Sequence, residues 1–245
     1  MINKIRLQPL MHLKDQEIFG YEALYRKNDD ESYPSALKII SDIFSTCNTG
    51  DNCHLFINLT INDVSDKNFC HLLLNMSEEK EIDPSKIVLE INESTHPDIL
   101  TAAKKNISLL HHHNVKIALD DFGTEYSSLF CISEFPVDIV KIDKKFIKET
   151  PSNLKLRKLL KHCVEISHDF GCKVVAEGIE NKNQLECVMN SDADIGQGFL
   201  FSAPSNGNFS PFINLKDFMS FLAEPIIRKS SNEAPGYFPI YTAEN

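Results

Sequence analysis

At 245 residues, 42 % hydrophobic and 24 % charged, the chain suits one large domain, and a single α/β barrel takes this whole length. Its net charge of −10 excludes a broad DNA or RNA surface, which needs clustered Lys and Arg. No uninterrupted apolar run reaches the roughly 18 residues of a membrane-spanning helix, so no membrane partner is expected.

The start, Met1 to Arg6, carries no apolar core of a signal peptide, and no sensory or linker segment is expected ahead of the domain. The seven cysteines are an odd count with no C-x-x-C and read as reduced thiols of a cytoplasmic protein. Ile5 to Leu13 and Ile18 to Tyr25 read as strands, the second with Glu22 set inside it. Helical spacing follows over Pro34 to Phe44, then a strand over His54 to Leu59 that ends near Asn58, then a helix over Val64 to Met76. Ile87 to Ile91 is the next strand and carries Glu90. Asp98 to His113 is helical, with Leu100, Ala103, Ile107 and Leu110 on one face.

Val115 to Leu119 is a buried strand running into Asp120 and Asp121, and Gly123 breaks it. Two adjacent acids cannot both face a dry core without a cation or a shared proton. Beyond them come a short helix over Tyr126 to Ile132, a strand over Val137 to Ile142 carrying Lys141, and a helix over Asn153 to Phe170 stopped by Gly171. Lys173 to Ala176 is a strand leading to Glu177, Gln184 to Met189 is helical, and a weak strand over Ala193 to Ile195 leads to Gly196-Gln197-Gly198. Leu215 to Leu222 is a closing helix. The expected organisation is one domain over 1–225 and a polar tail over 226–245.

This is β-α alternation along the whole chain, which argues a parallel sheet covered by helices. Polar residues of ligand type recur at Glu22, Asn58, Glu90, Asp120, Lys141, Glu177 and Gln197, with gaps of 36, 32, 30, 21, 36 and 20 residues, each about one βα unit. A closed (β/α)8 barrel of TIM type brings strand ends to one mouth, whereas an open doubly wound sheet spreads them along an edge. In a barrel, Glu22, Asn58, Glu90, Asp120, Asp121 and Glu177 meet as five carboxylates and one amide. All-oxygen ligation selects Mg²⁺ or Mn²⁺ over Zn²⁺. Five acids exceed the needs of one such ion, and two ions about 3.5–4 Å apart suit phosphodiester hydrolysis. Lys141 among these acids is either an internal salt bridge or a group that shares a proton with the attacking water.

At this point the residues resemble the EAL-domain cyclic di-GMP phosphodiesterases. The blocks are Glu22-Ala23-Leu24 followed by Arg26, Asn58 in FINLT, Glu90 and Glu93 in LEINES, Asp120 and Asp121 in DDFGT, Lys141 and Asp143 in KID, Glu177 and Glu180 in AEGIE, and Gln197 in QGF. They stand in the family's order over roughly residues 5 to 204. The resemblance implies an EAL-type barrel that opens cyclic di-GMP to linear pGpG. It implies that Glu22, Asn58, Glu90 and Asp120 hold one metal, that Asp120 bridges to a second held with Asp121 and Glu177, and that Gln197 acts through a water on the metal. Lys141 positions or deprotonates the hydrolytic water. Gln8, Leu24 and Arg26 contact the ligand, Arg26 at phosphate. Glu93 braces the loop after the Asp pair, while Asp143 and Glu180 support the site. A homodimer and a protein regulator are further partners that the resemblance leaves room for.

Two positions depart from the pattern: Glu125 stands where the family usually has glycine, and Asn92 where it usually has threonine. Both bear on turnover more than on binding. The competing functions are a catalytically weak member acting as a cyclic di-GMP receptor or protein-interaction module, and a different barrel enzyme for phosphate esters. The complete ligand set favours catalysis. His111-His112-His113 reads as a solvated helix end and Ser127-Ser128 as a helix start.

Overall fold

The computed structural model describes residues 5–25, 34–46, 53–66, 68–92, 97–123 and 128–205. The chain divides into Met1–Phe212 and Ile213–Asn245. The second part lies outside the described residues, and so do the boundary expected after residue 225 and the helix expected over 215–222.

Eight strands close into a barrel in chain order. They are β1 (Ile5–His12), β2 (Ile18–Tyr25), β3 (His54–Leu59), β4 (Ile87–Asn92), β5 (Lys116–Phe122), β6 (Ile139–Ile142), β7 (Lys173–Ala176) and β8 (Ile195–Gln197). The helices between them are α1 (Ala36–Thr46) after β2, α2 (Ile61–Ser65) and α3 (Phe69–Glu79) after β3, α4 (Pro97–His112) after β4, α5 (Ser128–Glu134) after β5, α6 (Lys144–Glu149) and α7 (Leu154–Asp169) after β6, and α8 (Lys182–Met189) after β7. The fold is therefore the expected TIM-like α/β barrel. Among the described residues no helix is long and apolar enough to cross a membrane.

The expectation of an all-parallel sheet is corrected at β1, which pairs antiparallel with both β2 and β8. Only the five residues from Leu13 to Glu17 separate β1 from β2, and a parallel return needs a crossover of about a dozen residues or more. The N-terminal half of β1 consequently points into the mouth, where the other strands end.

Two further expectations change. The helix read over 64–76 is two helices, because the Asp66 carboxylate accepts from the Asn68 N–H at 2.7 Å and makes a turn between them. The weak strand read over 193–195 is β8 over Ile195–Gln197, so Gln197 is its last residue. Other boundaries follow their local chemistry. Asn153 caps α7 by accepting from the Lys155 and Leu156 N–H groups, and Gly171 ends the turn after it at φ +80°.

One residue from each strand fills the barrel floor: Leu10, Phe19, Phe56, Val88, Ala118, Ile139, Val175 and Ile195. Side chains on one face of a strand recur every second residue. Two positions beyond the floor residues of β3 to β8 stand Asn58, Glu90, Asp120, Lys141, Glu177 and Gln197. On the reversed β1 the equivalent step runs backward to Gln8. On β2 the step from Phe19 to Glu22 is three residues, because the β1–β2 register shifts beside Gly20. Gly20 has no room for a Cβ, which would lie 2.4 Å from the His54 carbonyl oxygen. Phe19 takes the floor position in its place and stacks on His54 at 4.4 Å.

Candidate active site

The alternation of the strands thus lays a polar ring, one residue per strand, over an apolar floor. Its first half is built on Glu22. Asn58 Nδ2 donates to Glu22 Oε1 at 2.7 Å, and Gln197 Nε2 donates to Glu22 Oε2 at 2.6 Å. Gln197 Nε2 also reaches Gln8 Oε1 at 3.3 Å, and Gln8 Nε2 donates to the Ser202 carbonyl at 3.3 Å. Burial opposes ionisation of Glu22, but the Lys141 charge and the two amides hold its carboxyl below the usual range.

The second half is built on Lys141, whose side chain is 1 % exposed. Its Nζ lies 2.6 Å from Glu177 Oε1, 2.8 Å from Glu90 Oε1 and 3.3 Å from Asp120 Oδ1. Burial disfavours the ammonium, yet Glu90, Glu177, Glu22 and Asp120 together outweigh it and keep Lys141 well above its ordinary value. Complete burial pushes Glu90 well up, against the pull of Lys141. Burial likewise pushes Glu177 up to about 7, with Asp120 and Glu22 adding to the rise.

β5 ends in a bulge. Leu119 pairs with Val140 and Phe122 with Ile142, so three steps on β5 face two on β6. The extra residue lies in the Asp120-Asp121 pair, and Asp121 takes φ +58°. That conformation costs an ordinary side chain about 1–2 kcal/mol, less for aspartate. Buried Phe122 anchors the far side of the bulge, and Gly123 at φ +93° makes the turn.

The donors fit a hard divalent cation by their chemistry. Glu90 Oε2 and Gln197 Oε1 are buried and have no hydrogen-bond partner among the described residues, and buried oxygens of this kind call for a proton or a cation. Among the described residues no three His, Cys, Asp or Glu side chains converge on one ion. The point on which Glu90, Asp120 and Glu177 do converge is taken by the Lys141 ammonium.

The remaining expected residues are placed unequally. Leu24 is half-buried at the rim, two positions past Glu22 on the same face, and pairs with Arg6. Asp143 is buried and caps α6 by accepting from the Lys145 N–H at 2.9 Å, which fixes the exit of β6 two residues after Lys141. Glu180 has an exposed side chain, and its link to the site is its backbone N–H, which donates to Gln184 Oε1 at 2.7 Å. Buried Gln184 is a residue the sequence reading missed, although Asn181-x-x-Gln184 is a capping box. Asn92 pairs with Asp120 as the last residue of β4. Arg26, Glu93 and Glu125 lie outside the described residues. The three histidines at 111–113 are exposed, as expected of a helix end.

Behind Gln197, Gly198 lies flat on Ile179: the Ile179 N–H donates to the Gln197 carbonyl at 3.0 Å and the Leu200 N–H to the Ile179 carbonyl at 2.9 Å. A Cβ on Gly198 would stand 2.2 Å from the Ile179 oxygen and 2.3 Å from its nitrogen, so backbone has to move. Gly198→Ala is expected to cost about 1–3 kcal/mol of stability, the usual scale of overpacking. Urea unfolding checks this, and an unchanged midpoint contradicts the close approach.

The EAL domain family model matches residues 35–204. The chain belongs to the EAL domain family. The match begins after β2, so the Glu22-Ala23-Leu24 tripeptide joins this EAL domain through strand pairing with β3. Over 158 residues, 64 % of the chain, it is 33 % identical to the cyclic di-GMP phosphodiesterase PdeL of Escherichia coli K12, and the match spans 44 % of PdeL. Among solved structures, the EAL domain protein of Listeria monocytogenes EGD-e matches with TM-score 0.70 and 26 % identity, over 90 % of this chain and 93 % of that one. Klebsiella pneumoniae BlrP1, in a complex with calcium and cyclic di-GMP, matches in fold with TM-score 0.76 and 23 % identity, over 83 % of this chain and 56 % of that one.

Proposed function

We propose that this EAL domain is a phosphodiesterase that hydrolyses cyclic di-GMP to linear pGpG with two Mg²⁺ or Mn²⁺ ions. The observation that carries the reading is the ring: every strand contributes a polar residue, and all seven ligand-type positions read from the sequence fall in it. On this reading Glu22, Asn58, Glu90 and Asp120 hold one ion and Asp120, Asp121 and Glu177 the other, with Gln197 beside Glu22. Once bound, the ions neutralise charge on the phosphoryl oxygens and acidify the attacking water.

The chain's own groups do the rest. The acids around it hold Lys141 well above its ordinary value, so Nζ carries its proton, which supports a role in holding the water and the phosphoryl charge rather than in taking the proton. Asn58 and Gln197 hold both oxygens of Glu22 and so fix its plane. Gln8, Leu24 and Arg26 contact the ligand at the mouth. Asp143 fixes the strand exit behind Lys141, and Glu93 and Glu180 support the loops around it. The six described cysteines are free thiols and fit a reducing, cytoplasmic setting.

The test is incubation with cyclic di-GMP and Mg²⁺ or Mn²⁺, with products separated by chromatography. Linear pGpG is expected with either ion and none in excess chelator. Full turnover in chelator contradicts the two-ion mechanism. Binding without turnover at any metal concentration makes the chain a receptor.

A further inference from the structure

β1 enters the mouth N-terminus first, so residues preceding Gln8 stand above the ring. Alternation puts Arg6, Gln8 and Leu10 on one face, and no register shift falls between Ile5 and Leu10. Leu10 belongs to the barrel floor and Gln8 bonds to Gln197, so this face is the inner one. Arg6 is half-buried at the rim opposite Leu24, about 7 Å above Gln8 by strand rise. Among the described residues no hydrogen bond or ion pair engages its guanidinium. Phe199 is 63 % exposed in the turn after Gln197. That turn is held by the two Ile179 hydrogen bonds, and it lies along β1, since Leu10 pairs with Gln197 and Leu7 with Ser205.

We propose that Arg6 and Phe199 form a base subsite at this rim that selects guanine. The proposal rests on the cyclic di-GMP reading above and adds to it the residues that read the base. Guanine offers two acceptors, O6 and N7, to the fork of one Arg, whereas adenine offers one acceptor and one donor and cannot match it. Phe199 is an exposed aromatic side chain on a backbone turn held by hydrogen bonds, and stacking on it tolerates either purine. The rim position suits the base, because the metal-ligand acids that handle the scissile phosphate lie one layer deeper.

The experiment measures equilibrium binding of cyclic di-GMP and cyclic di-AMP, with Ca²⁺ present, to the full chain and to Arg6→Met, Arg6→Lys and Phe199→Leu. Circular dichroism verifies the fold of each. Arg6→Met is expected to weaken cyclic di-GMP by about tenfold or more and cyclic di-AMP by less than about threefold, and Arg6→Lys to behave like it because the fork is lost. Phe199→Leu is expected to weaken both ligands alike, by about fivefold or more. Equal losses of both ligands in Arg6→Met, or full recovery in Arg6→Lys, make Arg6 a charge contact to phosphate and overturn the base reading. Unchanged cyclic di-GMP affinity in Phe199→Leu removes the stacking half. A wild-type chain that binds neither ligand overturns the cyclic di-GMP reading itself, which is a separate outcome from variants that match a binding wild type.

Discussion

Lys141→Met is expected to lower kcat by about a hundredfold to a thousandfold while leaving cyclic di-GMP affinity within several-fold. On the proposed reading Lys141 is a buried donor at the reacting centre, and such a group acts on the transition state more than on the ground state. The same change removes the ammonium that faces Glu90, Asp120 and Glu177 at 2.6–3.3 Å. Breaking a buried ion pair on one side costs about 3–5 kcal/mol. The loss depends on pH. In the wild-type, metal-free chain Glu177 is pushed up to about 7 from an ordinary 4.5. Between those values the folded state holds a proton that the unfolded state has released, so this group's contribution to stability falls as pH rises through that window. Without Lys141 the acids rise further, so the variant should lose more stability at pH 8 than at pH 5. Urea unfolding in chelator at both values tests this. An equal loss at both contradicts the ion cluster, and a large affinity loss with unchanged kcat makes Lys141 a phosphate-binding group.

Asp120→Ala is expected to cost about a thousandfold in kcat/KM, against about tenfold for Asn58→Ala. Several kcal/mol of metal stabilisation at about 1.4 kcal/mol per tenfold sets the first figure. Asp120 sits on the β5 bulge between the two sets of acids and on the proposed reading serves both ions. Asn58 is exposed and neutral, and its hydrogen bond to Glu22 is backed by the one from Gln197. The Mn²⁺ concentration for half-maximal activity should rise more for Asp120→Ala than for Asn58→Ala. Equal and mild losses in the two variants argue that neither residue holds metal.

The positions of the ring residues were legible in the amino-acid order because two local rules act together. Apolar runs of β length ended on one polar residue, and the spacing matched βα units, so a closed barrel had to gather those ends at one mouth. Helix ends at Asn153 and Gly171 were legible for the same local reason, since caps are written in the residues that make them. Tertiary structure alone decided what depends on pairing and closure. The short link from Leu13 to Glu17 reverses β1 and carries Gln8 into the mouth, which the reading of a parallel sheet concealed. The bulge at Phe19 shifts the alternation by one residue, so Glu22 turns to a face that a strict period of two from the floor would deny it, whereas Asp120 keeps that period and the β5 bulge shifts Phe122, which pairs with Ile142. Register of this kind is set by neighbouring strands far away in sequence. The partition of the ring into an amide-held Glu22 and an ammonium-centred triad of acids, and with it the opposed shifts of Glu22 and Glu90, arises only once burial and charge are summed over side chains from all eight strands.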